Sequence, residues 1–578
     1  MKTINKIGIA FLLLFILAGC KKYLDKPPLT QFTDNEYWTS ESNVKIFCNG
    51  FYCLFNGFGQ GATSTINSNI APPAVTAGTE SNFYFPSFSD DQVNNAIDIF
   101  PTTAGSTAST WTTPYYHIRM ANLLLTRIGG VSSMSEVQKN HYRGVAYFFR
   151  AMEYFELVRH YGDVPYTNTY LDQVIDTAII WGPRVPRNTV MDSVLNDLNN
   201  AVTLLYSKSV ADVNSVTQDV AQALKSRICL YEGTYSKYQL NSSTRATKYL
   251  TECKTASEAV MNNGAYQLNP DFRTVYSSMD LTGNKEVLLY RVYLDGIVTH
   301  SVVGYCNSST PVYGLTKDAV ESFLCTDGLP INLSSLYQGD ACNPTTLSIA
   351  QTTLKNRDKR LTASVDSTLC YAGKPNSKGF VSTTGYLITR FNNATLTPTQ
   401  LLAPNNPTDA PVFWLPEVLL NEAEALTELG TFTQADADKT INLLRARAGV
   451  TSLDVTNAPN DPKRDGDVPA LLWEVRRERR AELMLTSSRY WDLHRWAKLS
   501  YLDASVKPDI FKGAKVPAGT SGTQGGQDAT GYILPYSTTT AAKRVVKTPQ
   551  NYLDFIPTGQ LQLYTNHGIS FSQNPGWQ

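Results

Sequence analysis

Apolar residues recur at helical spacing along most of this chain. Between His141 and Tyr161, Val145, Phe148, Phe149, Met152, Phe155 and Val158 fall on one stripe, and the run stops at Gly162 with Pro165 just beyond. That combination predicts a buried helix with a defined C-terminal end. The same periodicity predicts helices over 113–128, 188–206, 216–237, 245–261, 412–430, 434–447 and 468–498. Tandem helices joined by short polar turns predict a mostly α fold built from tetratricopeptide-like helical hairpins, although the repeat of about 34 residues is not kept cleanly. Blocks at 59–112, 290–315, 326–410 and 500–550 are rich in Gly, Ser, Thr, Asn and Pro. They predict long loops on a rigid helical frame, the usual place for binding residues.

The first residues break this pattern. Lys2 and Lys6 introduce an apolar run from Ile7 to Ile16, which closes on Leu17-Ala18-Gly19-Cys20. The run is too short to span a bilayer. A positive end, an apolar core and small residues before a cysteine predict a signal peptide over 1–19 that ends in a lipobox. Cys20 then carries lipid, and several acyl chains, each methylene worth about 0.8 kcal/mol when buried, anchor a chain where a single one does not. Residues 20–35 contain Pro27-Pro28 and read as an extended, lipidated tether.

Composition narrows the chemistry. Lys and Arg number 50 against 50 for Asp and Glu, so no excess charge draws the chain to nucleic acid. Aromatic residues make up 11% of the chain, and the 32 Tyr among them are the kind of surplus that meets sugars or partner surfaces once the core is served. Eight cysteines follow Cys20 without a C-x-x-C pair, so zinc is not supported by spacing. Cys48 and Cys53 fall on different faces of a helix and do not predict a bridge. Cys306, Cys325, Cys342 and Cys370 lie in loop-rich sequence where an exported protein can form disulfides, and whether they pair stays open.

No catalytic constellation emerges. The six histidines lack paired-ligand spacing, and no nucleophile elbow, phosphate loop or dinucleotide fingerprint is present, so neither metal nor cofactor is implied. Glycoside hydrolysis needs two carboxylates about 5–9.5 Å apart across a cleft. Glu417 and Glu424 instead share one helix face near Glu422, which favours pairing at the core edge. Over 468–498, Arg476, Arg477, Arg479 and Arg480 alternate with Glu474, Glu478 and Glu482. The spacing predicts an exposed helix surface laced by i,i+3 pairs such as Glu474–Arg477 and Arg479–Glu482, each worth about 0.2–1 kcal/mol. Asp492, between Arg489 and Arg495, reads the same way.

A series of short motifs runs through the chain: Tyr37-Trp38 with Asn49-Gly50-Phe51-Tyr52; Ile118-Arg119-Met120-Ala121-Asn122; Phe149-Arg150-Ala151 through Tyr161-Gly162-Asp163-Val164-Pro165; and Ala223-Leu224-Lys225-Ser226-Arg227. It continues with Asn356-Arg357-Asp358-Lys359-Arg360-Leu361, Glu417 to Glu424, Arg445-Ala446-Arg447-Ala448-Gly449, Arg476 to Glu482 with Arg489-Tyr490-Trp491-Asp492-Leu493, and Gln573-Asn574-Pro575-Gly576-Trp577. In this order the motifs resemble those of the SusD/RagB-like outer-membrane nutrient-binding lipoproteins, from the lipobox to the last residues. Two departures stand out. Thr486-Ser487-Ser488 occupies the place where the family often has Glu-Gly-His, and Lys21, Lys22 and a single Asp25 follow the cysteine where acidic residues often accompany surface export.

The resemblance implies a SusD-like fold, with an N-terminal helical region over 36–270 and a C-terminal SusD/RagB region over 271–578. It implies a non-catalytic, lipid-anchored protein of the outer membrane, facing the cell exterior, that sits as a lid on a SusC-like TonB-dependent β-barrel and hands it glycans. Family ligand contacts come from a loop after the first helices and from loops in mid-chain. Here that points to Phe83, Tyr84 and Phe85, near Phe88, and to Tyr293, Tyr305 and Tyr313, with Asn82 and Asn307 as polar partners. Aromatic planes take the C–H faces of sugar rings while hydroxyls take the polar groups. The competing reading of each aromatic is that it pins a loop to the frame. Capture of peptides or other nutrients by the same lid, and a surface glycan-processing enzyme, remain alternatives.

Overall fold

Ser135 and Gln138 form a reciprocal cap at the start of the helix Glu136–Tyr161, and Gly162, at φ 70°, ends it. The stripe predicted for this helix faces inward: Val145, Phe148, Phe149, Phe155 and Val158 are buried, with Met152 half-buried. The computed structural model describes residues 37–59, 89–172, 174–519 and 525–578. Cys20, the tether and Phe83, Tyr84 and Phe85 lie outside the described residues.

Among the described residues, eleven helices have eight or more residues. They are α1 (Glu41–Asn49), α2 (Ser109–Arg127), α3 (Glu136–Tyr161), α4 (Arg187–Leu204), α5 (Gln218–Tyr238) and α6 (Ser243–Met261), then α7 (Leu415–Leu429), α8 (Ile441–Ala448), α9 (Ala470–Leu483), α10 (Ser488–Arg495) and α11 (Thr558–Asn566). Helices α2 to α6 pack consecutively, each against the next, and α6 passes the stack on to α7. Small residues set the spacing. A side chain on Gly144 would meet Leu205 at 2.9 Å, and one on Gly233 would meet Leu250 at 2.8 Å. The fold is mostly α, as the periodicity predicts.

Four short strands among the described residues complete the frame. β1 (Gln92–Asn94) pairs antiparallel with β3 (Tyr313–Leu315), and β2 (Val287–Arg291) pairs antiparallel with β4 (Ala410–Trp414). The β2/β4 ribbon is shared between two cores. Leu288, Leu289, Val412 and Phe413 join the helical core of α1 to α6, whereas Val287, Ala410 and Trp414 join a second core formed from residues between Phe58 and Ile533.

Several expectations need correction. The helix predicted over 412–430 begins as strand β4, because β-prone Val412, Phe413 and Trp414 pair with β2 and Pro416 opens the helix behind them. The helix over 434–447 breaks at Thr440, whose backbone is not helical. The one over 468–498 breaks between α9 and α10, where Leu485 and Ser487 take positive φ values of 66° and 48°. No disulfide forms: all eight cysteines after Cys20 are free thiols, and Cys306, Cys325 and Cys370 are each buried.

The largest correction concerns α9. Its charges are paired, but they are not on the surface: Glu474, Glu478 and Glu482 are buried and aligned at i, i+4 and i+8. Arg445 bonds Glu474 and Glu478 at 3.1 and 2.9 Å, and Arg360 bonds Glu478 and Glu482 at 2.7 and 3.0 Å. Arg447 joins Glu482 to Glu286. The predicted pair Glu474–Arg477 is present at 3.0 Å, whereas Arg479 turns away from Glu482 to bond Asp492 at 2.9 Å. Asp492 also holds Arg495 at 2.8 Å. Interleaved charge reads as solvated surface when the partners it meets lie far away in sequence and stay hidden.

Candidate functional site

The mid-chain aromatics divide into a pin and a face. Tyr293 follows β2 and is only 1% exposed. Its ring packs on Phe58 and His300, with centroids 6.3 and 4.7 Å away, and its hydroxyl donates to the carbonyl of Gly59 at 2.5 Å. Its backbone N–H donates to Asp409 Oδ1 at 2.8 Å, and Leu281 N–H donates to Oδ2 at 3.0 Å. Burial pushes Asp409 up to about 6 against these two bonds. Next to it, the His300 ring accepts from Val302 N–H at Nδ1 and donates from Nε2 to Thr408, and burial lowers its pKa to about 3, so the imidazole is neutral at ordinary pH. Tyr293 is thus built into the second core and fixes the point where the chain leaves Gly59.

Tyr305 and Tyr313 are half-buried on the same stretch and rest on the second core. Tyr305 belongs to a single helical turn, Val302–Cys306, and Tyr313 opens β3. The β1/β3 register sets Asn94 opposite Tyr313, so the segment that resumes at Ser89 runs alongside this tyrosine. Thr383 extends the arrangement, its hydroxyl donating to Val93 O at 2.6 Å and its N–H to Tyr313 O at 3.3 Å. Gly314 is required there, since a side chain would lie 2.3 Å from Thr384 Oγ1. Asn307, 7% exposed, donates to Asn392 Oδ1 at 2.8 Å, and its own Oδ1 has no hydrogen-bond partner. Among the described residues nothing offsets the burial of that oxygen.

Two of the carboxylates on α7, Glu417 and Glu424, are committed to arginines. Glu417 takes both Arg227 nitrogens at 2.6 Å, and Glu424 takes both terminal nitrogens of Arg495 at 2.6 and 2.7 Å with Trp496 Nε1 at 2.7 Å. The guanidinium of Arg495 holds Glu424 well below the usual carboxylate range despite its burial. Bidentate pairs of this kind leave neither group free to attack or protonate a substrate.

One feature escaped the sequence reading. Trp473, Arg476, Arg477 and Arg480, at i, i+3, i+4 and i+7 on α9, line a cavity of about 350 Å³ together with Arg489 and Tyr501. Its volume falls within the range of about 300–1,000 Å³ typical of small-ligand sites. The signal was the tryptophan in phase with three arginines, and it was absorbed into a salt-bridge pattern that describes the adjacent face of the same helix.

Comparison with known proteins covers most of the chain. The family described as "SusD family" matches residues 304–577, and the one described as "Starch-binding associating with outer membrane" matches residues 22–230. SusD-like protein P2 of Formosa agariphila is 25% identical over 520 residues, spanning 85% of this chain and 90% of that protein. A SusD-like carbohydrate binding protein from Bacteroides fragilis superposes with a TM-score of 0.65 at 20% identity, covering 92% of this chain and 98% of its own. A laminarin binding SusD-like protein superposes with a TM-score of 0.55 at 18% identity, covering 93% of this chain and 100% of its own.

Proposed function

The chain belongs to the SusD-like family, and from that premise we propose that it is a glycan-capturing lipoprotein of the outer membrane that delivers its ligand to a SusC-like TonB-dependent barrel. The observation that carries the reading is that Tyr305 and Tyr313, which flank Asn307 in the chain, both rest half-buried against the second core. Tyrosine rings offer planes for sugar C–H faces, and polar groups of the neighbouring loops take the hydroxyls. Phe83, Tyr84 and Phe85 belong to the segment that leaves at Gly59 and returns at Ser89, whose two ends are anchored at Tyr293 and beside Tyr313. The names of relatives that bind carbohydrate or laminarin agree with a glycan ligand. Capture proceeds without turnover, in keeping with the committed state of Glu417 and Glu424.

Lipid on Cys20 and the tether that follows hold the protein at the membrane facing outward, and closing against the barrel strengthens a weak single site by raising effective concentration. Affinity electrophoresis of the mature protein through a panel of polysaccharides tests the ligand. At least one glycan is expected to retard the wild type, and Tyr305→Ala and Tyr84→Ala are expected to lose most of that retardation. A wild type that no glycan retards ends the sugar assignment.

A further inference from the structure

The cavity along α9 has a marked imbalance in what remains unspent. Its acids are already taken: Asp90 receives Arg489 at 2.7 Å and Arg480 at 3.3 Å, Asp318 receives Arg480 at 2.7 Å, and Asp461 receives Arg477. Glu321 receives Lys317 at 2.7 Å and Lys463 at 2.6 Å, and Asp509 receives Lys317 at 2.9 Å and Lys512 at 3.3 Å. The bases are not used up to the same degree. Arg476 is 6% exposed, and its Nε–H is buried with no hydrogen-bond partner. Arg489 commits Nε and one terminal nitrogen to Asp90, at 2.8 and 2.7 Å, while its other terminal nitrogen has no hydrogen bond among the described residues. Lys507 has no carboxylate within ion-pair distance among the described residues, and its ammonium lies 4.4 Å over the ring of Tyr501.

Of these cations, Arg489 and Lys507 are the ones with donors left over at the cavity wall. A cavity whose spare hydrogen-bonding capacity is cationic is matched by an anionic group. The walls add a second constraint. Trp473 and Tyr501 are half-buried beside those cations, and Asn332, Lys463 and Pro508 at the rim are exposed, so the cavity opens to solvent. Aromatic planes beside a charged anchor suit a ring with C–H faces rather than a bare ion.

We infer that this cavity is a second ligand site that takes an anionic sugar residue, its carboxylate or sulfate held by Arg489 and Lys507 and its ring seated against Trp473. The choice of a sugar rests on the glycan-capture reading, whereas the charge preference rests on the cavity alone. The site is separate from the tyrosine edge and gives the protein a means of preferring polymers that carry acidic residues.

Titration of the purified mature chain with D-glucuronate, glucose 6-sulfate, glucose and inorganic sulfate, followed by calorimetry or ligand-observed NMR, tests this directly. Glucuronate or glucose 6-sulfate is expected to saturate at concentrations about tenfold below glucose, and which of the two binds identifies the acidic group. Lys507→Ala is expected to weaken that binding about tenfold, Trp473→Leu to weaken it severalfold, and neither to change retardation by a neutral polysaccharide that the wild type binds. Three results overturn the inference: glucose binding as tightly as the acidic sugars, inorganic sulfate matching them while Trp473→Leu has no effect, or no probe binding. If no probe binds while a neutral polysaccharide still retards the same preparation, only the cavity assignment falls. If acidic sugars bind but no polysaccharide retards the protein, the cavity assignment holds and the capture reading fails.

Discussion

The hydroxyl of Tyr293 donates to the carbonyl of Gly59 at 2.5 Å, tying a loop residue of the second core to the last described position before residue 89. Removing that hydroxyl while keeping the ring is therefore informative. Tyr293→Phe retains packing on Phe58 and His300 and is expected to cost about 1 kcal/mol in thermal unfolding. On the capture reading it also lowers retention on glycan gels, since it loosens the entry to the segment carrying Phe83, Tyr84 and Phe85. Unchanged retention with reduced stability would separate the anchor from the binding edge.

Arg360 is 1% exposed and bonds Asp358, Glu478 and Glu482 at 2.6, 2.7 and 3.0 Å. Arg360→Met leaves three buried carboxylates without their shared cation and is expected to cost about 3–5 kcal/mol in urea unfolding. Lys248→Met, at an exposed pair with Asp192, is the matched control and is expected to cost about 0–1 kcal/mol. Equal costs at the two sites would contradict the burial argument.

Ser487 sits at φ 48° between α9 and α10, a left-handed backbone that a side chain disfavours. Ser487→Gly is expected to stabilise the protein by up to about 1 kcal/mol, the relief of strain exceeding the added freedom of the unfolded chain. A lower melting temperature would mean that the serine side chain contributes more than its backbone strain costs.

Burial pushes Glu422 up to about 8, and its Oε2 has no hydrogen-bond partner. Because the folded pKa is raised, the native state holds this proton more tightly than the unfolded chain does. Its contribution to stability is full below the ordinary glutamate value of about 4.3 and is lost as pH rises through about 8. Glu422→Gln is expected to raise the melting temperature at pH 8.5 by more than it does at pH 5, a difference read by calorimetry at the two pH values. The histidines oppose this slope lower down: burial lowers His494 to about 4, so its contribution is full above about 6.5 and is lost as pH falls toward 4.

Helix positions were legible because periodicity is local. The α3 stripe and its Gly162 end came straight from spacing, and so did the hairpin stack. What local pattern did not carry was the identity of distant partners. Glu474, Glu478 and Glu482 meet Arg360, Arg445 and Arg447, the first of which lies more than a hundred residues earlier in the chain, so an inward-facing ionic lattice looked like a solvated helix. The strand β4 was hidden for a similar reason, since its pairing with β2 is non-local. Of the candidate site, the stretch holding Tyr293, Tyr305, Tyr313 and Asn307 was pointed to by the family resemblance, which does not separate the buried anchor from the half-buried tyrosines.

Phe58, before the interval from 60 to 88, lies in the second core, and Asp90, after it, is held by Arg489 at 2.7 Å. Closing a longer loop costs only about 0.6 kcal/mol for each doubling of length. Insertions or deletions between these two anchors are therefore expected to cost the helical frame little stability.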